Sequence, residues 1–157
     1  MMKNLLKLHA IWLLLLMGLL LPLGSCDDND EEDDTDPVLN LVEFDNITIT
    51  GDKEVPANVS EATGTFAGTY NKDTNILTYT ITHQGITPTN MHFHKGEPGV
   101  SGGVEVPIGT APFSSPIRGQ TPVLDEAQEA DLLAGRWYVN IHSADFPAGE
   151  IRGQVVQ

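Results

Sequence analysis

Two neighbouring stretches of this chain alternate with a period of two, and that pattern excludes a helix for both. Between Ala62 and Tyr70, the residues Gly64, Phe66, Gly68 and Tyr70 take every second position, with Thr63, Thr65, Ala67 and Thr69 between them. Between Asn75 and His83, Leu77, Tyr79 and Ile81 alternate in the same way with Ile76, Thr78, Thr80 and Thr82. Successive side chains of a strand point to opposite faces, whereas a helix repeats about every 3.6 residues. The polar turn Asn71-Lys72-Asp73-Thr74 joins the two runs, which predicts an antiparallel hairpin. A threonine-rich outer face over an apolar inner face predicts a sheet with one side in water.

The rest of the chain after Pro37 reads the same way. Leu41–Thr50 is rich in β-branched and aromatic residues and stops at Gly51-Asp52. Shorter strands are expected at 90–94, 104–108, 136–142 and 150–156, separated by connections such as Lys95-Gly96-Glu97-Pro98-Gly99 and Asp145-Phe146-Pro147-Ala148-Gly149. One helix interrupts them, with Thr121 as N-cap and Pro122 in its first position. Leu124, Ala127, Ala130 and Leu133 or Ala134 form its spaced face, and Gly135 follows its end. Roughly seven short strands and one helix predict an all-β domain over 38–157, an antiparallel Greek-key-like β-sandwich with one short helix near 122–134. The tetrapeptide Ile-Arg-Gly-Gln occurs at 117–120 and 151–154, too short to indicate duplication.

The N-terminal part has another logic. Lys3 and Lys7 precede an uncharged, Leu-rich stretch of 16 residues, Leu8 to Leu23, which falls short of the roughly 20 that span a bilayer. Gly24, Ser25 and Cys26, the one cysteine of the chain, complete the layout of a secretory signal over 1–25. Leu23-Gly24-Ser25-Cys26 resembles a bacterial lipobox. The resemblance implies that Cys26 becomes the mature N-terminus, carries acyl chains such as palmitate, and links the protein to the membrane of the cell envelope. From Asp27 to Asp36 there are eight acids and no base, so 26–37 is expected to be a solvated, disordered tether. The tether resembles export signals of some surface lipoproteins, and equally a plain spacer. With Cys26 lipidated no cysteine is left to pair, so burial must hold the domain together. Pro37–Gln157 carries 14 acids and six bases without a basic stripe, which argues against nucleic acid and against docking on anionic headgroups.

Candidate chemistry gathers on histidine. His92 and His94 lie two apart in one expected strand and share a face, with Met91 and Phe93 on the other. In the late strand Trp137, Val139 and Ile141 form the apolar face, and Tyr138, Asn140 and His142 the opposite one. Three imidazoles projecting away from an apolar layer could ligate a metal at about 2.0–2.1 Å, and they suit copper, zinc or nickel over calcium or magnesium. The alternative is a metal-free polar cluster bonded to Asn140, Tyr138 or loop backbone. His83 reads as a surface or strand-end residue. Glu150, Arg152 and Gln154 alternate on the last strand, either as a ligand-facing patch with Asn140 or as an intrastrand ion pair on a solvated face. Gly96, Gly99, Gly102 and Gly103 serve tight turning, since no Gly-Lys-Ser/Thr ending or following helix makes a phosphate cradle. Ser143 and His142 are adjacent in a strand, point apart, and make no catalytic triad.

Several of these segments, in order, resemble the chordin-type (CHRD) domain. They are Glu54-Val55-Pro56, His92-Phe93-His94-Lys95-Gly96, Gly99, Gly102-Gly103, Leu132-Leu133-Ala134-Gly135, Tyr138-Val139-Asn140-Ile141-His142 and Pro147-Ala148-Gly149-Glu150-Ile151-Arg152-Gly153-Gln154. Met91, Phe93 and Ser143 stand where that pattern has Ala, Ile and Thr. The resemblance covers about 41–157 and implies an all-β domain without an assigned activity. A fainter likeness to Cu,Zn superoxide dismutase rests on His-x-His and on Val139 to His142, but the further histidines of that family are absent. No nucleophilic cysteine, serine elbow or cofactor loop is present. A non-enzymatic, lipid-anchored binding or scaffolding module for a protein or small molecule is therefore expected, with a three-His copper or zinc domain, of a kind open to redox chemistry, as the alternative.

Overall fold

The computed structural model describes residues 40–157; the expected signal peptide, Cys26 and the acidic tether lie outside them. Eight strands and one α-helix follow in order: β1 (Leu41–Thr50), β2 (Thr63–Asn71), β3 (Ile76–Gln84), β4 (Asn90–Lys95), β5 (Val104–Pro107), β6 (Ile117–Gln120), α1 (Glu126–Leu133), β7 (Trp137–His142) and β8 (Ile151–Val155). All pair antiparallel in the order β5-β4-β7-β8-β1-β2-β3-β6, so the domain is all-β with a single short helix.

The sheet curls on itself. One register pair, Thr50 with Arg152, joins β1 to β8 at its middle. Phe93 of β4 meets Phe66 of β2 edge-on at 5.8 Å and Tyr79 of β3 at 5.2 Å, although β4 and β3 stand near opposite ends of the sheet. Two half-sheets thus face each other in a sandwich-like arrangement, and the chain passes between them after β3, β5 and β6. Apolar positions of both halves fill the space, among them Ile49, Phe66, Leu77, Ile81, Met91, Phe93, Trp137, Val139 and Ile141, all fully buried. These residues give the domain its own core.

The expected hairpin forms over 63–84, with Phe66 opposite Ile81 and Tyr70 opposite Leu77; Asn71 pairs with Ile76, so the turn lies at 72–75, one residue later than the polar run suggests. β1 needs a correction to perfect alternation: Phe44 and Ile47 both face inward across a bulge, at which Asn46 takes φ 56°. Asparagine tolerates that left-handed conformation better than most residues. The helix begins later than Pro122. Its N-cap is Asp125, whose carboxylate accepts from Gln128 N at 2.8 Å while Gln128 Oε1 accepts from Asp125 N at 3.1 Å. Thr121 instead continues the pairing beside β3, its hydroxyl accepting from Leu77 N at 3.1 Å. Leu124 and Leu132 are buried, whereas Ala127 and Ala130 face water. Gly135 follows as expected, with φ +71° and the paired bonds Gly135 N to Leu132 O and Arg136 N to Asp131 O that close a helix end. Asp131 ties the helix to the sheet through Lys95 and through Arg136 at 2.6 Å.

Candidate metal centre

β4 and β7 are direct neighbours, so the two histidine segments meet. Register places His92 opposite Asn140, His94 opposite Tyr138 and Asn90 opposite His142. Met91 and Phe93 fall into the core with Trp137, Val139 and Ile141, which sends His92, His94, Asn140 and His142 to the outer side. One ring nitrogen from each of His92, His94 and His142 lies within 4.8 Å of the others. The three expected imidazoles converge.

Their hydrogen bonds orient the lone pairs. His94 Nδ1 lies 3.0 Å from Gly102 O, and His142 Nδ1 lies 3.1 Å from Pro147 O. A carbonyl only accepts, so in both rings Nδ1 holds the proton and Nε2 presents a free pair. Nε2 of His94 is buried with no hydrogen-bond partner. His92 Nδ1 stands 3.2 Å from His142 Nε2 and supplies the proton of that bond. Two nitrogens on one tetrahedral zinc at about 2.0–2.1 Å stand roughly 3.3–3.4 Å apart, so this edge is already near its liganded length. Backbone carbonyls that fix imidazole tautomers are the usual outer shell of a metal site. The residues fit a borderline-soft transition ion; with no carboxylate in the trio they do not fit calcium or magnesium.

Burial pushes all three imidazoles below their ordinary pKa. For His92 the charges of His142 and His94 add to it; for His94 the Gly102 bond opposes and Arg152 adds; for His142 the Pro147 bond opposes and His94 adds. Neutral rings are the form that binds a metal.

The outer side of this half-sheet is not solvated as the alternation suggested. Every residue of β7 is buried, because the loops 96–103 and 143–150 fold over it. The Gly-rich loop turns back so closely that a Cβ on Gly102 would collide with Lys95 O. Arg152 and Glu150 form no solvated ion pair. Arg152 is 2% exposed and donates to Val100 O, Glu97 O and Gln154 Oε1, while Glu150 accepts from the Ser60 hydroxyl at 2.6 Å. Asn140 lies beneath, 4% exposed, beside Glu54. Glu54 had no role in the sequence beyond the Glu-Val-Pro segment; burial raises its pKa, against the Val55 N–H, the Arg152 charge and the Asn140 amide. His83 ends β3 outside the trio, half-buried, its pKa lowered by burial. Ser143 accepts from Phe146 N at 3.2 Å and serves a turn.

Fold and site together define an antiparallel all-β domain with an imidazole cluster under a glycine-rich loop. A family model described as CHRD domain matches residues 46–155, and the chain belongs to that family. No curated protein and no solved structure matches it.

Proposed function

We propose that this CHRD domain is a non-enzymatic, lipid-tethered binding module of the cell envelope whose ligand is a copper or zinc ion on His92, His94 and His142. The observation that carries the reading is the tautomer pattern. Two rings spend Nδ1 on backbone carbonyls and turn Nε2 toward a common space, where one Nε2 is buried without a partner. A buried polar atom left unpaired costs about 1–3 kcal/mol, and a metal ion would satisfy this one. Binding would release or shift the Nδ1 proton of His92, since that nitrogen must then donate its own pair. The leader and Cys26 support the tether, and the acidic segment supports a spacer between membrane and domain.

Residues 36–157, purified without a histidine tag, dialysed against copper or zinc and measured by mass spectrometry for metal, test the centre. One ion per chain is expected, lost in His94→Ala and in His142→Ala while the β-sheet circular dichroism persists. Metal well below one per chain, or full metal in both variants, contradicts it. For the tether, the full chain fed radioactive palmitate should be labelled and sediment with membranes, and Cys26→Ser should do neither; label retained by the variant contradicts it.

A further inference from the structure

The buried guanidinium of Arg152 has no carboxylate partner: among the described residues ion pairs form only at Asp131, although the Glu54 charge acts on Arg152. A buried cation without an ion pair is costly unless its N–H groups are hydrogen-bonded. Here they hold a loop. Nη1 donates to Val100 O at 3.0 Å and Nη2 to Glu97 O at 3.1 Å. Gln154, which also accepts from Arg152, donates to Gly96 O at 2.9 Å and continues the hold. The last residues of that loop bring Gly102, whose carbonyl accepts a hydrogen bond from His94 Nδ1 and whose N–H donates to Tyr138 Oη at 3.0 Å.

A second route reaches the same ring. Cζ of Arg152 sits 3.5 Å from the Tyr138 ring centroid, and that ring stacks on His94 at 5.0 Å with planes 14° apart. One side chain thus packs on the ring that stacks against His94 and pins the loop whose carbonyl sets the His94 tautomer. Lysine carries the same charge but no planar fork that binds two carbonyls while lying flat on a ring.

We propose that Arg152 is a positioning residue of the three-His centre, acting on His94 alone of the three ligands. This rests on His94 being a ligand, but its first test needs no metal. Residues 36–157 labelled with 15N-histidine report each ring's tautomer by long-range 1H–15N correlation at neutral pH. In the native sequence His94 and His142 should both show a single Nδ1–H tautomer. Arg152→Lys and Arg152→Met should leave His142 unchanged and turn His94 into a mixture of tautomers. The same variants should bind copper or zinc about 10- to 100-fold more weakly in competition with a chromophoric chelator, the range found for outer-shell partners.

The lysine variant decides if the methionine variant does not fold. An unchanged His94 spectrum in Arg152→Lys, an equal change at His94 and His142, or loss of the folded spectrum in both variants would each overturn the proposal. An altered tautomer with undiminished metal affinity would overturn it too. A native chain that takes up no metal would refute the metal reading separately, while the tautomer measurement still decides whether Arg152 governs His94.

Discussion

At the scale of single residues, the same tetrapeptide shows how much context decides. Ile-Arg-Gly-Gln forms β6 at the sheet edge with Arg118 exposed, and opens β8 at the sheet centre with Arg152 sealed. Alternation told which side each arginine takes, but only the loop 96–103 determines that one of those sides is covered. The histidines were legible because i and i+2 in a strand must share a face. The Gly102 and Pro147 carbonyls that orient them were not, since backbone acceptors leave no residue-type signal. Gly102 offers a direct probe. Gly102→Ala must push the loop off β4, because its Cβ would collide with Lys95 O. We expect destabilisation of about 1–3 kcal/mol, as for overpacking, in urea titration, together with loss of metal retention. A variant as stable and as metal-competent as the native chain would contradict the close packing.

At the scale of elements, strands with clear alternation came out within a residue or two, and the errors have local causes. β6 is a four-residue edge strand, too short for periodicity to register. Thr121-Pro122 suits a helix N-cap in sequence; the Asp125–Gln128 capping box, which starts four residues after Thr121, satisfies two backbone N–H groups at once and wins. Asp125→Ala should therefore cost about 1 kcal/mol in chemical unfolding, and Thr121→Ala should act instead through the lost Leu77 N–H bond. Asp125→Ala with no measurable cost would mean that packing of Leu132 alone holds the helix. The bulge at Asp45–Asn46 escaped notice because both flanking segments alternate well; its effect is to return Phe44 and Ile49 to the same side.

At the scale of the whole molecule, Phe93 joins the two half-sheets, touching Phe66, Tyr79 and Trp137. Phe93→Ala should lower stability by about 3–5 kcal/mol, and it sits between the two proposed ligands of β4, so metal affinity should fall with it. A cost below about 1 kcal/mol would show that the halves pack independently.

Histidine sets the acid limit. His83, His92, His94 and His142 all have folded pKa values below the unfolded 6.5, so below that pH the unfolded chain binds more protons than the folded one. The histidine contribution to the stability of the metal-free domain is thus complete above about pH 6.5 and declines as pH falls from there toward the lowered folded values. Thermal unfolding between pH 8 and 5 should show that decline, and replacing the three clustered histidines by glutamine should flatten much of it. An unchanged slope would mean the imidazoles are not held neutral. Lowered pKa also means protons compete weakly, so a bound metal should persist below pH 6.5.

The most direct measurement is X-ray absorption at the metal edge of residues 36–157 loaded with copper or zinc. Three imidazole rings, seen as nitrogen at about 2.0 Å with the outer-shell scattering of the ring carbons, are the expected result, falling to two in His142→Ala. A shell of oxygen ligands without ring scattering, or a spectrum identical in that variant, would contradict a centre built from His92, His94 and His142.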